Sequence, residues 1–397
     1  MIVATTLMLL GLLGGIVAAQ LRGNRLGGVI IVPLFAIYTL RTFGTLPVLL
    51  LSVVGGYVSV EIVKRRLFVY GRSLFVLSLV TSGLVSLLAY AFLQVGADAG
   101  TTIPYLGFIG SVLPGIAAYN FHRLDRDEQI LDALWALALL LFLVVVGIGM
   151  VALVGLTPLA TVTPPVMLAP GSDIARAFGL VVTTATHPVI LPFPKVLAML
   201  GLGLLFSEGA RKRWGLRIGG IIVLPLLVLI AFRDATLLWV YLALTAGVYL
   251  SLQGFNWLTL IYARVLLSMG LILGLLAALT VVSTTSLSNG LLPFFIGILA
   301  SVTAYNLHCT ARAERRSAVV VAAGGFVALA AVARLFLTPR PGGLLLDTTV
   351  VDVLVGAVVL ALACWELYRL ESIRPPALDD VPAGWEFEEG HPREQSP

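Results

Sequence analysis

The sequence predicts an all-α integral membrane protein, a polytopic helical bundle of about 13 transmembrane helices arranged as two parallel six-helix repeats plus one extra helix. Three observations carry this. Of 397 residues, 59% are hydrophobic and only 11% charged, against about 25% charged in ordinary soluble domains. Apolar runs of the ~20 residues that a ~30 Å hydrocarbon core requires recur along nearly the whole chain. Polar residues near the N-terminus also return, in register, half a chain later. No soluble domain of useful size remains. The net charge of +5 lies in short clusters between apolar runs rather than on one face, which indicates membrane lipid, and no nucleic acid, as the partner. Cys309 and Cys364 stand far apart without a companion motif, so neither a disulfide framework nor a metal site is expected, and no cofactor.

Taken in order, residues 1–156 form the first repeat, with helices expected near 2–19, 26–40, 46–63, 73–95, 105–121 and 130–156. The first run lacks a basic leader and ends in Gln20-Leu21-Arg22, so it reads as a retained helix rather than a signal peptide. Residues 157–193 are a Pro-rich linker in which one regular helix is forbidden. Residues 194–338 are the second, degraded repeat, 339–370 hold an extra transmembrane helix, and 371–397 form an acidic tail too poor in apolar residues to fold.

The duplication is read from polar positions. Arg25-Leu26-Gly27-Gly28-Val29-Ile30-Ile31-Val32-Pro33-Leu34 reappears 192 residues on as Arg217-Ile218-Gly219-Gly220-Ile221-Ile222-Val223-Leu224-Pro225-Leu226. The offset carries Arg41 onto Arg233, Tyr57 onto Tyr249 and Tyr70-Gly71-Arg72 onto Tyr262-Ala263-Arg264. Ala118-Tyr119-Asn120-Phe121-His122 then matches Ala304-Tyr305-Asn306-Leu307-His308 at an offset of 186. Apolar segments alike by chance would not keep these residues in register. With helices alternating sides, one side collects all the lysines and arginines but six, namely Arg41, Arg176, Lys195, Arg233, Arg334 and Arg340. The positive-inside rule then places the N-terminus outside and the C-terminal tail in the cytoplasm of a multi-pass cell-membrane protein. An even number of helices per unit makes the repeat parallel.

Three stretches carry a family resemblance: Gly28-Val29-Ile30-Ile31-Val32-Pro33, Leu67-Phe68-Val69-Tyr70-Gly71-Arg72-Ser73-Leu74-Phe75, and Gly107-Phe108-Ile109-Gly110-Ser111-Val112-Leu113-Pro114-Gly115-Ile116-Ala117. In order and spacing they resemble the small membrane protein of poly-gamma-glutamate synthase, the CapC/PgsC family, over residues 1–156 and, degraded, over 194–338. The chain departs from that pattern at Leu34, where the family often has Gly. In the second copy Pro114-Gly115 becomes Ala300-Ser301, and Lys64-Arg65-Arg66 becomes Asn256-Trp257-Leu258. The resemblance implies a non-catalytic accessory subunit of a capsule-type polymer synthesis and export complex. It would support a separate, Mur-ligase-like, ATP-dependent amide ligase and handle an anionic polymer, with the first copy carrying the activity and the second a structural partner.

The same residues also have a plain physical reading. Pro33 and Pro114-Gly115 predict broken helices, which either line a polar pocket or merely kink for packing. Arg41 either snorkels to the outer interface or touches a departing anionic polymer. Tyr70, Gly71 and Arg72, beside Lys64, Arg65 and Arg66, are either topology determinants or a docking surface for an acidic partner or anionic lipid. Asn120 and His122 close the fifth helix and read as caps on its free carbonyls, one His per repeat being too few for zinc. Glu61 reads as a partner of Lys64 or Arg65. No phosphate-binding loop, dinucleotide fingerprint or metal-spaced His/Cys set occurs in the sequence. A secondary transporter or channel for a small or polymeric anion is the competing function, weakened because Asp132, Asp347 and Asp352 lie near helix ends rather than mid-membrane.

Overall fold

Long runs of Leu, Val, Ala and Ile can satisfy their backbone inside lipid only as helices or closed barrels. The computed structural model is helical, with no strand among its described residues, which are 2–22, 25–67, 71–95, 107–154, 173–178, 193–259, 263–285, 292–339 and 341–373. The first copy comprises α1 (Ile2–Arg22), α2 (Ile31–Arg41), α3 (Thr45–Leu67), α4 (Arg72–Val95), α5 (Gly107–His122) and α6 (Arg126–Val154). A short α7 (Asp173–Ala177) follows, and most of the linker lies outside the described residues. The second copy comprises α8 (Phe193–Trp214), α9 (Val223–Ala231), α10 (Thr236–Thr259), α11 (Ala263–Thr284), α12 (Leu292–Cys309) and α13 (Arg315–Phe336), and α14 (Val350–Ser372) closes the described chain. Nine of the described helices are long and apolar enough to cross a membrane. The tail beyond residue 373 lies outside the described residues.

The second helix of each copy departs from expectation. Instead of starting at residue 26, α2 begins at Ile31, because Leu26, Gly27 and Gly28 hold positive φ angles of 51°, 63° and 130°. Gly219 and Gly220 repeat this at 51° and 127°. At 1.5 Å per residue, α2 and α9 are only about 16 and 14 Å long, roughly half a bilayer, and both are almost wholly buried by other helices. Pro33 and Pro225 fall in their first turns, where the missing N–H is not needed. Each proline rests on a glycine of the preceding helix: a Cβ at Gly11 would lie 2.2 Å from Pro33, and one at Gly203 2.5 Å from Pro225. Pro33 therefore starts a helix rather than breaking one.

Pro114-Gly115 is a second correction. Helix α5 runs unbroken through Pro114, and Gly115 lets α4 approach, since a Cβ there would sit 2.7 Å from the Leu79 Cα. The Ser78 hydroxyl donates to the Gly115 carbonyl at 2.7 Å. The second copy reaches the same proximity with other small residues, a Cβ at Gly297 lying 2.9 Å from the Gly274 carbonyl oxygen. Elsewhere the copies conserve contacts while changing chemistry. Tyr57 donates to Gln129, whose amide donates to Leu124 O; in the second copy Arg315 takes the place of Gln129, reaching Tyr249 and Thr310 O.

The copies also touch through their first helices. α1 packs against α11 of the second copy, and α8, its counterpart, packs against α4 of the first. Reciprocal contacts of this kind are those of a two-fold-related pair. At the extra helix, Thr349 and Asp352 form a reciprocal cap, which accounts for Asp352 without a transport role. At its other end Glu366 bonds Ser317 and Arg369.

Asp132, buried one turn into α6, holds the break before α2. Its carboxylate accepts from the backbone N–H of Arg25, Leu26 and Gly27 at 2.6, 2.8 and 3.2 Å. The equivalent position in the second copy is Ala318. Replacing Asp132 with Ala should orphan these buried donors and destabilise the protein by about 2–4 kcal/mol. A lowered thermal midpoint in detergent, with Ala318→Gly far milder, is the expected reading; an unchanged midpoint for Asp132→Ala would contradict the clamp.

Candidate functional site

The two breaks face a common cavity of about 590 Å³ between the copies. From one copy come Gly28, Val29, Ile30 and Ile31, and from the other Gly220, Ile221, Ile222 and Val223. These are the N-terminal ends of α2 and α9, and no side chain caps either one. Uncapped N-terminal N–H groups carry about half a positive charge. Each loop is held by an asparagine from the fifth helix of its copy: Asn120 donates to Gly27 O at 2.8 Å, and Asn306 to Gly219 O at 2.8 Å. Both asparagines line the cavity. They tie the loops rather than cap their own helices, which corrects the expectation for Asn120.

Five arginines join them in the wall: Arg25, Arg72, Arg211, Arg217 and Arg264. They group across the copies. Arg264 is repelled by Arg25 and Arg123 and attracted by Asp132, and Arg211 is repelled by Arg72 and Arg217 and attracted by Glu208. Two carboxylates stand nearby. Asp132 is committed to the backbone of residues 25–27, and Glu208 of α8 takes Arg72 in a bidentate grip, with Nε at 2.8 and 2.9 Å and Nη2 at 2.7 Å. Among the described residues, no carboxylate pairs with Arg25, Arg211, Arg217 or Arg264, and Nη1 of Arg25 is buried without an acceptor. Further along the helices the wall turns apolar, at Leu34, Leu79, Leu113 and Leu299. The arrangement attracts anions at its arginine-rich end. No cluster of metal-ligating side chains occurs among the described residues.

Of the residues singled out from sequence, Arg72 and Asn120 line the cavity, whereas Pro33, Arg41, Gly71, Pro114, Gly115 and His122 do not. Arg41 ends α2, where a cation offsets the negative end of the helix. Gly71 turns the chain with φ 66°, and Tyr70 lies outside the described residues. His122 packs edge-on against Tyr57, its Nδ1 3.5 Å from Glu61. Glu61 pairs with Arg65 at 2.6 Å, as expected; Lys64 is half-buried and Arg66 exposed. Sequence reading passed over Arg25, Arg211, Arg217, Arg264 and Glu208 as site residues. For three of these a signal existed: Arg25 with Arg217, and Arg72 with Arg264, are polar pairs kept in register by both copies. The cavity draws on both copies alike, so the first does not build it alone.

Fold and cavity together define a polytopic helical membrane protein with a cationic chamber at the seam of a tandem duplication. The chain belongs to the capsule biosynthesis CapC family, which matches residues 10–130 and 202–316, one segment in each copy and together more than half of the sequence. Comparison with curated proteins and with solved structures returned no match.

If the asparagines hold the loops, Asn120→Ala should speed amide hydrogen exchange in residues 25–31 about fivefold, the loss of one hydrogen bond of about 1 kcal/mol. Asn306→Ala should do the same in 217–223. Each change is expected to stay in its own copy, and exchange measured by mass spectrometry in detergent would show equal effects on both loops if the breaks were instead held jointly.

Proposed function

We propose that this protein is the membrane subunit of a poly-gamma-glutamate synthesis and export complex, itself non-catalytic and serving a separate ATP-dependent amide ligase. The observation that carries the reading is the cationic chamber between the copies, in a family whose name is capsule biosynthesis. In this reading the arginine-rich end faces the cytoplasm, the N-terminus lies outside and the C-terminal tail inside. A polyanion made by a soluble ligase then meets guanidinium groups and helix N-termini at the membrane surface. A carboxylate 4 Å from one guanidinium gains about 4 kcal/mol at the effective dielectric of a protein surface, enough to retain a polymer end while leaving it free to exchange. Lys64, Arg65, Arg66 and Arg72 supply the docking surface for the ligase, with Arg72 shared between surface and chamber.

Two uncapped half-helices meeting at a cavity are also the arrangement in which secondary transporters bind anions, and this favours a second reading, an anion transporter working without a ligase. Reconstitution separates the two. On the first reading, proteoliposomes show no glutamate-dependent ATP hydrolysis alone and gain it when the ligase is added. Recruitment of the ligase falls in high salt and with Lys64, Arg65 and Arg66 all changed to Ala. ATP turnover by the isolated chain would refute the accessory role, and ligase-independent uptake of a small dicarboxylate or phosphate would establish the transporter. For orientation, Arg65→Cys should resist an impermeant thiol reagent in intact cells while Gly100→Cys is labelled.

A further inference from the structure

The chamber is built from two crossed cationic groups rather than one. Arg25 follows α1, which packs against α11 near whose start Arg264 stands; Arg217 follows α8, which packs against α4 and whose Glu208 holds Arg72 at the start of α4. Each group therefore takes a loop arginine from one copy and a helix-start arginine from the other, because α1 and α8 each pack against the opposite copy as well as their own. The sequence offset of 192 maps one pair onto the other. Each lies beside an uncapped half-helix N-terminus.

The groups differ in the carboxylate that meets them. In the second, the Glu208 carboxylate already sits on Arg72. In the first, Ile16 stands at the position equivalent to Glu208, Asp132 bonds the loop backbone and attracts Arg264 without an ion pair, and Nη1 of Arg25 is buried with no acceptor. A carboxylate chelated by arginine shows what the chamber's chemistry accepts, and in the other group no carboxylate among the described residues forms an ion pair with Arg25 or Arg264.

We propose that the chamber is a two-point site for a single acidic chain, one anionic group seated at Arg25 and Arg264 and a second at Arg72 and Arg217, with Glu208 as the resident carboxylate that the second must displace. Two cationic points in one chamber fit a ligand with more than one anionic group better than a single headgroup. Taking that chain to be the acidic polymer rests on the function proposed above; the two-point geometry does not. Glu208 sets a threshold: a short or singly charged ligand fills the open point alone, and only a chain that also reaches Arg72 exchanges one carboxylate for another. Linking two weak sites raises affinity well beyond either one.

The test uses full-length protein in neutral phosphatidylcholine nanodiscs, without ligase, and a fluorescent gamma-linked glutamate decamer. The decamer should bind at least 100-fold more tightly than glutamate itself. Arg25→Gln or Arg264→Gln should weaken it about tenfold, with Lys at either position partly restoring binding, and Lys195→Gln, remote and exposed, should change nothing. Glu208→Gln should tighten it about fivefold, a gain that misfolding cannot imitate. A decamer no tighter than glutamate, or no gain from Glu208→Gln, overturns the proposal. Equal competition by inorganic phosphate assigns the site to a single small anion, and equal competition by phosphatidylglycerol in the disc assigns it to a lipid headgroup; either result also overturns it. Because no ligase is present, failure here leaves the ligase-dependence experiment standing, and failure there leaves this one.

Discussion

Backbone that is not helical cannot face lipid, because each unpaired N–H or C=O there costs several kcal/mol. The rest of the architecture follows from two places where this chain breaks that regularity, residues 25–30 and 217–222. Leu26, Gly27 and Gly28 turn left-handed, and the turn survives only because other groups complete its hydrogen bonds: Asp132 on the N–H side, Asn120 on the carbonyl side. The half-helices that follow are enclosed by neighbours from their own copy, and their free N-termini are left facing a polar space between the copies. A duplicated chain thus brings two helix breaks to a single chamber.

That chamber is locally frustrated. Five arginines line its wall with two acids nearby, one of which serves the backbone. Arginine cannot shed its proton to relieve the repulsion, so the surrounding fold has to hold the charges together, and α1 and α8 do so by packing against the opposite copy. Departures from local consistency that are held in place by tertiary packing are where binding function concentrates. The bidentate pair of Arg72 with Glu208 joins α4 of the first copy to α8 of the second and so fastens the seam as well as filling part of the site.

Between the copies, geometry persists while residues drift. Gly115 beside Leu79 in one copy, and Gly297 beside Gly274 in the other, give the same close helix approach from different positions. Gln129 and Arg315 both join a tyrosine to a helix-end carbonyl. Small residues are valuable here because helices in lipid gain association energy from close packing rather than from expelling water. The Pro114-Gly115 dipeptide, which reads as a break in sequence, is one solution to that packing problem.

The sequence alone determined the solvent, the helical class, the duplication and the family, since all of these are written in composition and register: apolar runs long enough for a bilayer, and Arg25, Arg72 and Asn120 returning as Arg217, Arg264 and Asn306. It also located the Gly27-Gly28 stretch as special, though it assigned the irregularity to Pro33 several residues too late. What tertiary structure alone decided is which of the recurring residues meet. Arg41 and Arg233 recur as faithfully as Arg25 and Arg217 but end up away from the chamber, and Arg211 and Glu208 belong to it without any counterpart in the first copy. Recurrence reports that a position is constrained, not by what. The packing of α1 and α8 against the opposite copy places the start of one copy against the middle of the other, and that is a property of contacts between segments far apart in the chain, which local patterning of charge and hydrophobicity does not encode.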